Sequence, residues 1–204
     1  MTTDKNVAVS NSDAQLLGAL GPRSLVLVGM MGAGKSSIGR KLAQRLNLPF
    51  VDADAEIERV AGGMSISDIF AERGEPYFRA GEARVIARLL EGGPQVLATG
   101  GGAFMHPQSR EAIRAKAISV WLKAEFDVLM KRIKRRSDRP MLKTQDPGET
   151  LRRLMQERDP VYAEADVIVH SRDVPHEIII AEIISAVAQR LEEISAISAG
   201  TRMS

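Results

Sequence analysis

The stretch GMMGAGKSS, residues 29–37, is the feature that most restricts how this chain can fold. It follows the apolar run LVLV and precedes a segment whose apolar residues recur one helical turn apart. The spacing G-x-x-x-x-G-K-S lets successive backbone amides point at phosphate oxygens from the N-terminus of a helix. Lys35 can reach the outer phosphates, and the Ser36 hydroxyl suits Mg²⁺. In this context the motif predicts a nucleotide-binding loop rather than a glycine-rich turn without a ligand.

Short apolar runs alternate with amphipathic segments along the rest of the chain. Predicted strands cover residues 25–29, 49–52, 95–99, 118–122 and 166–169. Predicted helices include residues 35–46 and about 175–197. Most of the strands are too short and too uniformly apolar to be half-exposed, which favours a parallel sheet buried on both faces. The alternation predicts a three-layer α/β domain that binds its ligands at the carboxyl ends of the strands.

The bulk composition excludes several classes of protein. The chain has no cysteine, so disulfides and thiolate metal sites are excluded, and a reducing compartment fits. The net charge of +2 is too small to indicate nucleic-acid binding. No apolar stretch approaches the roughly 18 residues that would suggest a membrane span. We therefore expect a cytoplasmic protein without a nucleic-acid or membrane partner, and a monomer because no apolar stripe is left over.

The first 22 residues have no sustained apolar run and no signal-peptide pattern. We predict a flexible tail over residues 1–22, where a short helical turn near residues 14–20 is an option. A single domain is predicted over residues 23–204.

Two aspartates end the second predicted strand, in the stretch VDADAEIE. If the chain is extended there, Asp52 and Asp54 project to the same side and face one cleft. Three interpretations remain open from the pair alone: metal ligands, a base for a substrate, or a solvated end in which Asp54 caps the next helix.

Three later stretches bear on the phosphoryl acceptor. In EPYFRAGE, Arg79 and Glu82 lie on one helical face, where a plain surface ion pair is the alternative. In ATGGGAF, three glycines follow a strand and let backbone amides approach a ligand, although a flexible loop would look the same. The basic run KRIKRRSDRPML lacks interleaved aromatic residues for base stacking, so a lid over phosphates explains it better than a nucleic-acid patch.

Taken in order, the phosphate-binding loop and the D-x-D, F-R-x-x-E, G-G-G, R-P-x-L and R-x-P-x-Y motifs resemble shikimate kinase. The match runs from about Leu25 to the final helix; its one departure is Met141, in RPML, where the family usually has leucine. The resemblance implies a P-loop kinase fold: a five-stranded parallel sheet flanked by helices, an acceptor-binding helical segment over about residues 54–82 and a mobile lid over about residues 135–146. It also implies Mg²⁺-dependent transfer of the γ-phosphoryl group of ATP to the 3-hydroxyl of shikimate.

The resemblance implies a role for each matched position. Catalysis would involve Lys35, Asp54 and the lid residue Arg139. ATP would be bound by Gly32, Ala33, Gly34, Lys35, Ser36, Ser37, Arg132, Arg139, Arg172 and Pro175. Shikimate would be bound by Asp54, Phe70, Phe78, Arg79, Glu82, Gly100, Gly101, Gly102 and Arg158. Mg²⁺ would be held by Ser36 and Asp52.

Within the acceptor set, Arg79 and Arg158 would hold the carboxylate, and Glu82 would orient Arg79. Asp54 would accept hydrogen bonds from ring hydroxyls, and the two phenylalanines would form an apolar wall.

Other functions are weighed against this one. A P-loop kinase of another small acid such as gluconate is the main alternative, and a nucleoside monophosphate kinase would need a base pocket that nothing here suggests. A non-catalytic ATP-binding module should lack the acceptor aspartate, one of the arginines or the lid arginine, and all are present. His106, His170 and His176 are scattered and receive no role, and Trp121 is expected in the core.

Overall fold

A computed structural model describes residues 11–134 and 146–201, which form a five-stranded parallel sheet flanked by helices. The strands are β1, Ser24–Val28; β2, Phe50–Asp52; β3, Val96–Ala98; β4, Ala117–Lys123; and β5, Val167–His170. The helices are α1, Asn11–Leu20; α2, Lys35–Leu46; α3, Ala53–Val60; α4, Ile66–Leu90; α5, Pro107–Lys116; α6, Phe126–Lys134; α7, Pro147–Tyr162; and α8, His176–Thr201. The predicted five-stranded parallel architecture is confirmed.

The strand order β2-β3-β1-β4-β5 places β1 at the centre of the sheet. All five residues of β1 are buried, as its uniformly apolar sequence predicts for a strand covered on both faces. β5 lies at an edge and alternates buried and exposed residues. After β1 the chain forms β2 and β3 on one side of β1, and it then crosses to form β4 and β5 on the other side. This change of direction leaves a crevice at the carboxyl end of β1. The loop over residues 29–34 lies at this switch point.

Residues 11–20 contradict the prediction of a flexible tail. As α1 they pack against α8 and α2, with Leu16 and Leu20 buried in the main core. Asp13 is only 3% exposed and accepts hydrogen bonds from Nε and Nη2 of Arg45, at 3.2 and 3.1 Å. The sequence of this segment has no sustained apolar run because only a few of its side chains face the core. Tertiary packing and a partly buried ion pair stabilise the helix.

Replacing Leu20 with alanine should show how much α1 contributes to stability. Leu20 is 1% exposed, so Leu20→Ala is expected to lower the free energy of unfolding by about 2–5 kcal/mol, measured by urea denaturation. The exposed Gln15 of the same helix is the matched control, and Gln15→Ala should change that free energy by less than about 0.5 kcal/mol. A Leu20→Ala loss as small as the control's would mean that α1 does not pack on the core in solution.

The segment beside the sheet has a small apolar cluster of its own. Ile57 of α3 packs with Ile69 and Phe78 of α4, separately from the main core. Within α4, Gly74 has φ 78° and ψ 167° and interrupts the helix just before Pro76. The first half of α4 therefore stands at an angle to the second half and, with α3, forms a separately packed flap beside the sheet.

Among residues 11–134 and 146–201, no helix has the length and apolar character needed to cross a membrane.

Candidate active site

The loop between β1 and α2 has the geometry expected of a phosphate-binding loop. Gly34 precedes α2 in the left-handed conformation, with φ 96°, which strains residues with a side chain. A Cβ on Gly29 would lie 2.8 Å from the Leu122 carbonyl oxygen, so only glycine fits there. Lys35 is 9% exposed, and its Nζ donates to the carbonyls of Gly29 and Met30 at 2.7 and 3.0 Å. The lysine is thus held against its own loop at the base of the crevice.

A cavity of about 330 Å³ opens over this loop. From the predicted ATP-binding set, its lining includes Gly32, Gly34, Lys35, Ser36, Ser37, Arg132 and Arg172. Ala33 and Pro175 do not line it. Ala33 is fully buried, and its carbonyl accepts from the Ser171 hydroxyl at 2.7 Å, so it anchors the loop from behind.

Arg132 connects the two sides of this cavity. Its Nη1 donates to Ser171 Oγ and its Nη2 to the Arg172 carbonyl, both at 2.8 Å. Partial burial lowers the pKa of the Arg132 guanidinium, which Asp173 partly offsets. The Arg172 side chain turns to Glu182 and donates to both carboxylate oxygens, at 2.9 and 2.5 Å. Arg132 therefore offers the more direct cationic contact for a nucleotide.

A second cavity, of about 570 Å³, lies between the glycine run of residues 100–102 and helices α3 and α4. Its volume suits a small organic ligand. All nine predicted shikimate-binding residues line it: Asp54, Phe70, Phe78, Arg79, Glu82, Gly100, Gly101, Gly102 and Arg158. Ser36, Asp54 and Gly101 line both cavities, so the two cavities meet at these residues, which we call the junction. After their predicted ligands, we name the first the nucleotide cavity and the second the acceptor cavity.

Arg79 is held in the second cavity from several sides. Its Nη1 donates to Glu82 Oε2 at 2.7 Å, and its Nε and Nη2 each donate to Glu75 Oε1 at 3.2 Å. The guanidinium carbon lies 5.6 and 5.1 Å from the ring centres of Phe70 and Phe78. The ion pairs and cation–π contacts fix the orientation of the guanidinium in this cavity.

Glu82 orients Arg79 from a buried position. It is 1% exposed, and burial raises the pKa of its carboxyl group although Arg79 opposes the rise. Its Oε1 atom has no hydrogen-bond partner among the described residues. The Oε2 atom of Glu82 therefore accepts from Arg79, while its Oε1 atom faces Gly100 in the glycine run.

The glycine run is packed tightly against these side chains. A Cβ on Gly100 would lie 2.7 Å from Asp54 Oδ1 and 2.8 Å from Glu82 Oε1. A Cβ on Gly102 would lie 2.5 Å from Arg79 Cζ. A side chain at Gly100 or Gly102 would therefore displace Asp54, Glu82 or Arg79 from its position in this cavity.

Arg158 of α7 lines the same cavity as Arg79. It is 7% exposed, and its Nη1 donates to the Gly101 carbonyl at 3.1 Å. Two arginines on different helices therefore converge on one cavity.

The aspartate pair is arranged differently from the prediction. Asp52 ends β2 and caps α3, accepting a hydrogen bond from the Asp54 amide at 3.1 Å. Asp54 lies in the first turn of α3 rather than on extended chain, so the predicted cap by Asp54 is wrong. Both carboxylates still line the acceptor cavity, and Asp54 also lines the nucleotide cavity. The helix turn, and not strand alternation, brings Asp54 to the junction.

The donor atoms near the junction fit Mg²⁺. The Ser36 hydroxyl and the Asp52 and Asp54 carboxylates are hard oxygen ligands, the type that this ion prefers. In the part of the chain that the structure describes, no group of three or more His, Cys, Asp or Glu side chains could hold a metal by itself. Mg²⁺ usually takes one or two carboxylates together with substrate phosphates and water, so a sparse protein set is the expected one.

Several lining residues escaped the sequence reasoning. His176, Thr99 and Ile179 line the nucleotide cavity, and His176 had been given no role. Met31 and Glu58 line the acceptor cavity. His176 begins α8 directly after Pro175, which was predicted to bind ATP. That adjacency was the only sequence signal that could have placed His176 at the nucleotide cavity. Arg139 and nearly all of the predicted lid lie outside the described residues.

Comparisons with known proteins agree with the site. The family model described as shikimate kinase matches residues 31–188. A shikimate kinase from Bradyrhizobium diazoefficiens is 60% identical over 182 residues, covering 89% of this chain and 87% of the relative. The structure of shikimate kinase from Acinetobacter baumannii in complex with shikimate matches with a TM-score of 0.79 at 35% identity, covering 84% of this chain and 97% of that one.

A gluconokinase structure from Sinorhizobium meliloti matches with a TM-score of 0.57 at 23% identity, covering 87% of this chain and 98% of that one. At this level of identity it shows only a shared fold. The family model and the close relatives confirm the resemblance found in the ordered motifs. The chain therefore belongs to the shikimate kinase family.

Proposed function

We propose that this protein transfers the γ-phosphoryl group of ATP to the 3-hydroxyl of shikimate, giving ADP and shikimate 3-phosphate. The observation that carries the proposal is the junction of the two cavities. Asp54 lies between a phosphate-binding loop on one side and two converging arginines on the other. A small carboxylic acid with ring hydroxyls would match both the arginines and the aspartate.

Each part of the acceptor cavity has a role in this proposal. Arg79 and Arg158 bind the shikimate carboxylate, since guanidinium groups match a carboxylate's geometry. Phe70 and Phe78, whose rings lie 4.5 Å apart, cover the apolar side of the cyclohexene ring. With the carboxylate fixed, the ring hydroxyls reach Asp54 at the junction.

Phosphoryl transfer requires positioning and charge stabilisation more than covalent chemistry. Asp54 orients the attacking hydroxyl and takes its proton. Lys35 exchanges its contacts with the loop carbonyls for the β- and γ-phosphates and neutralises their charge. Arg132 contacts the nucleotide from the opposite wall, and Arg139 of the lid would reach the γ-phosphate.

Mg²⁺ belongs to the proposal as the nucleotide's counter-ion. Ser36 and Asp52 would hold it, Asp52 through water, and it would neutralise charge on the β- and γ-phosphates. We also propose that the protein works in the cytoplasm as a monomer, without nucleic-acid or membrane partners; the lack of cysteine supports a reducing compartment.

An acceptor panel tests the function. ADP release is measured with shikimate, gluconate, a nucleoside monophosphate or no acceptor, and ³¹P NMR locates the phosphate on the product. ADP release with shikimate should exceed release with each alternative by at least about 100-fold, because transfer requires an acceptor whose carboxylate is held by the arginines while a hydroxyl is held at Asp54. Faster ADP release with gluconate than with shikimate would indicate the main alternative, a kinase that phosphorylates gluconate. Acceptor-independent release alone would indicate an ATPase or binding module.

A further inference from the structure

Tyr162 is a buried tyrosine that the mechanism above does not use. It is the last residue of α7 and is fully buried. It follows Arg158 by four residues, so the two side chains lie on the same face of the helix. That face points at the glycine run.

The Tyr162 hydroxyl donates a hydrogen bond to the carbonyl oxygen of Gly101, the same atom that accepts from Arg158. Its ring stacks on Trp121 of β4 and on Phe104, with centroid distances of 5.7 and 6.4 Å. The ring is therefore fixed by aromatic packing, and the hydroxyl reaches the acceptor cavity's wall from behind.

The peptide that joins Gly101 to Gly102 lies in a turn closed by a backbone hydrogen bond from the Ala103 amide to the Gly100 carbonyl, at 3.2 Å. Within this turn, the Gly101 carbonyl accepts from the side chains of Arg158 and Tyr162. Glycine has the largest conformational freedom of any residue, and two in succession compound it. Because a peptide unit is planar, fixing the Gly101 carbonyl also fixes the Gly102 amide on the opposite side. Both residues line the acceptor cavity.

We propose that Tyr162 is a positioning residue for the acceptor, whose hydroxyl holds the Gly101–Gly102 peptide in the orientation that binding requires. It shares the Gly101 carbonyl with Arg158, so two side chains of α7 hold this peptide in addition to the backbone turn. The inference rests on the proposed function, because its readout uses shikimate as the acceptor.

The phenol is suited to a permanent donor role. Burial raises the pKa of Tyr162 above its ordinary value of 10.0, although Arg158 opposes the rise. The hydroxyl therefore stays protonated at every pH at which the enzyme would be assayed, and its contribution should not vary with pH.

Tyr162→Phe removes the hydroxyl and keeps the stacked ring. We expect the KM for shikimate to rise about 3- to 10-fold, as for loss of one hydrogen bond, with the KM for ATP within about twofold of the wild type. The matched control is Tyr77→Phe, because Tyr77 is 52% exposed and does not line the acceptor cavity. This variant loses the same kind of hydroxyl and should leave the KM for shikimate unchanged.

A Tyr162→Phe enzyme with an unchanged KM for shikimate would overturn the inference. So would equal increases in both KM values, because these would indicate a general structural defect. If the variant does not fold, the wild type decides: shikimate should shift the NMR resonance of the Gly102 amide, and an unmoved resonance under saturation refutes the role. A wild type that does not phosphorylate shikimate would instead refute the proposed function.

Discussion

Asp54→Asn is expected to lower kcat with shikimate by about 10²- to 10⁴-fold, the usual contribution of a positioned general base. Asparagine keeps the size of the side chain and one acceptor oxygen, but it cannot take the hydroxyl proton. The position lines both cavities, so the variant should retain the hydrogen-bonding shape of the junction. ATP affinity, measured by calorimetry, should stay within about threefold of the wild type, since the phosphate contacts are elsewhere.

Asp52→Asn is the matched control for this experiment. Asparagine caps helices as well as aspartate does, so the hydrogen bond to the Asp54 amide should survive. We expect this variant to need more Mg²⁺ for half-maximal activity while losing less kcat than Asp54→Asn. Near-normal turnover in Asp54→Asn would remove Asp54 from the chemistry, and an equal loss in both variants would leave proton transfer unassigned to either carboxylate.

Gly102→Ala is expected to raise the KM for shikimate by about 30-fold or more, equivalent to about 2 kcal/mol. The new Cβ would lie 2.5 Å from Arg79 Cζ and 2.7 Å from its Nη1. Arg79 cannot yield easily, because it is paired with Glu82 at 2.7 Å and sits beside two aromatic rings. The backbone at Gly102, with φ −106°, accepts alanine, so folding should be preserved.

Gly81→Ala serves as the control for an added methyl group near the same site. Its Cβ would have the Arg84 Nη2 atom, at 3.9 Å, as its nearest neighbour, and Gly81 lies within α4. Steady-state kinetics should show an unchanged KM for shikimate in this variant. If Gly102→Ala also left the KM unchanged, the placement of Arg79 against the glycine run would be wrong.

The sheet was predictable from the sequence because its strands carry short, uniformly apolar runs. Each predicted strand overlaps the observed one, and α2 begins and ends at the predicted residues 35 and 46. Here the local signals and the tertiary structure agree: a glycine-rich loop precedes the helix, and apolar residues recur along its buried face.

The N-terminal helix could not be predicted in the same way. Its apolar face consists of few residues, and its ion pair joins Asp13 to Arg45, which is 32 residues away. Such contacts leave no local pattern. The extended chain assumed at Asp54 was also wrong, because the strand ends at Asp52 and Asp54 lies in the first turn of α3. Both carboxylates nevertheless line one cavity, as predicted.

The site residues were accessible to sequence reasoning as an ordered set of motifs, but their interactions were not. The roles of Gly100 and Gly102 depend on close approach by side chains from α3 and α4. The position of Tyr162 depends on the same glycine run meeting the end of α7. Distances of this kind arise only when elements far apart in the chain pack together.

The separate apolar cluster of the flap has a consequence for how new specificities arise. Three buried residues, Ile57, Ile69 and Phe78, hold it, whereas the sheet rests on a far larger core. Regions with few buried contacts have low local stability and can open without unfolding the rest of the protein. Substitutions at flap residues that line only the acceptor cavity, such as Phe70, are therefore expected to change acceptor choice more than nucleotide binding. A fold divided in this way is well suited to acquiring different acceptors during evolution.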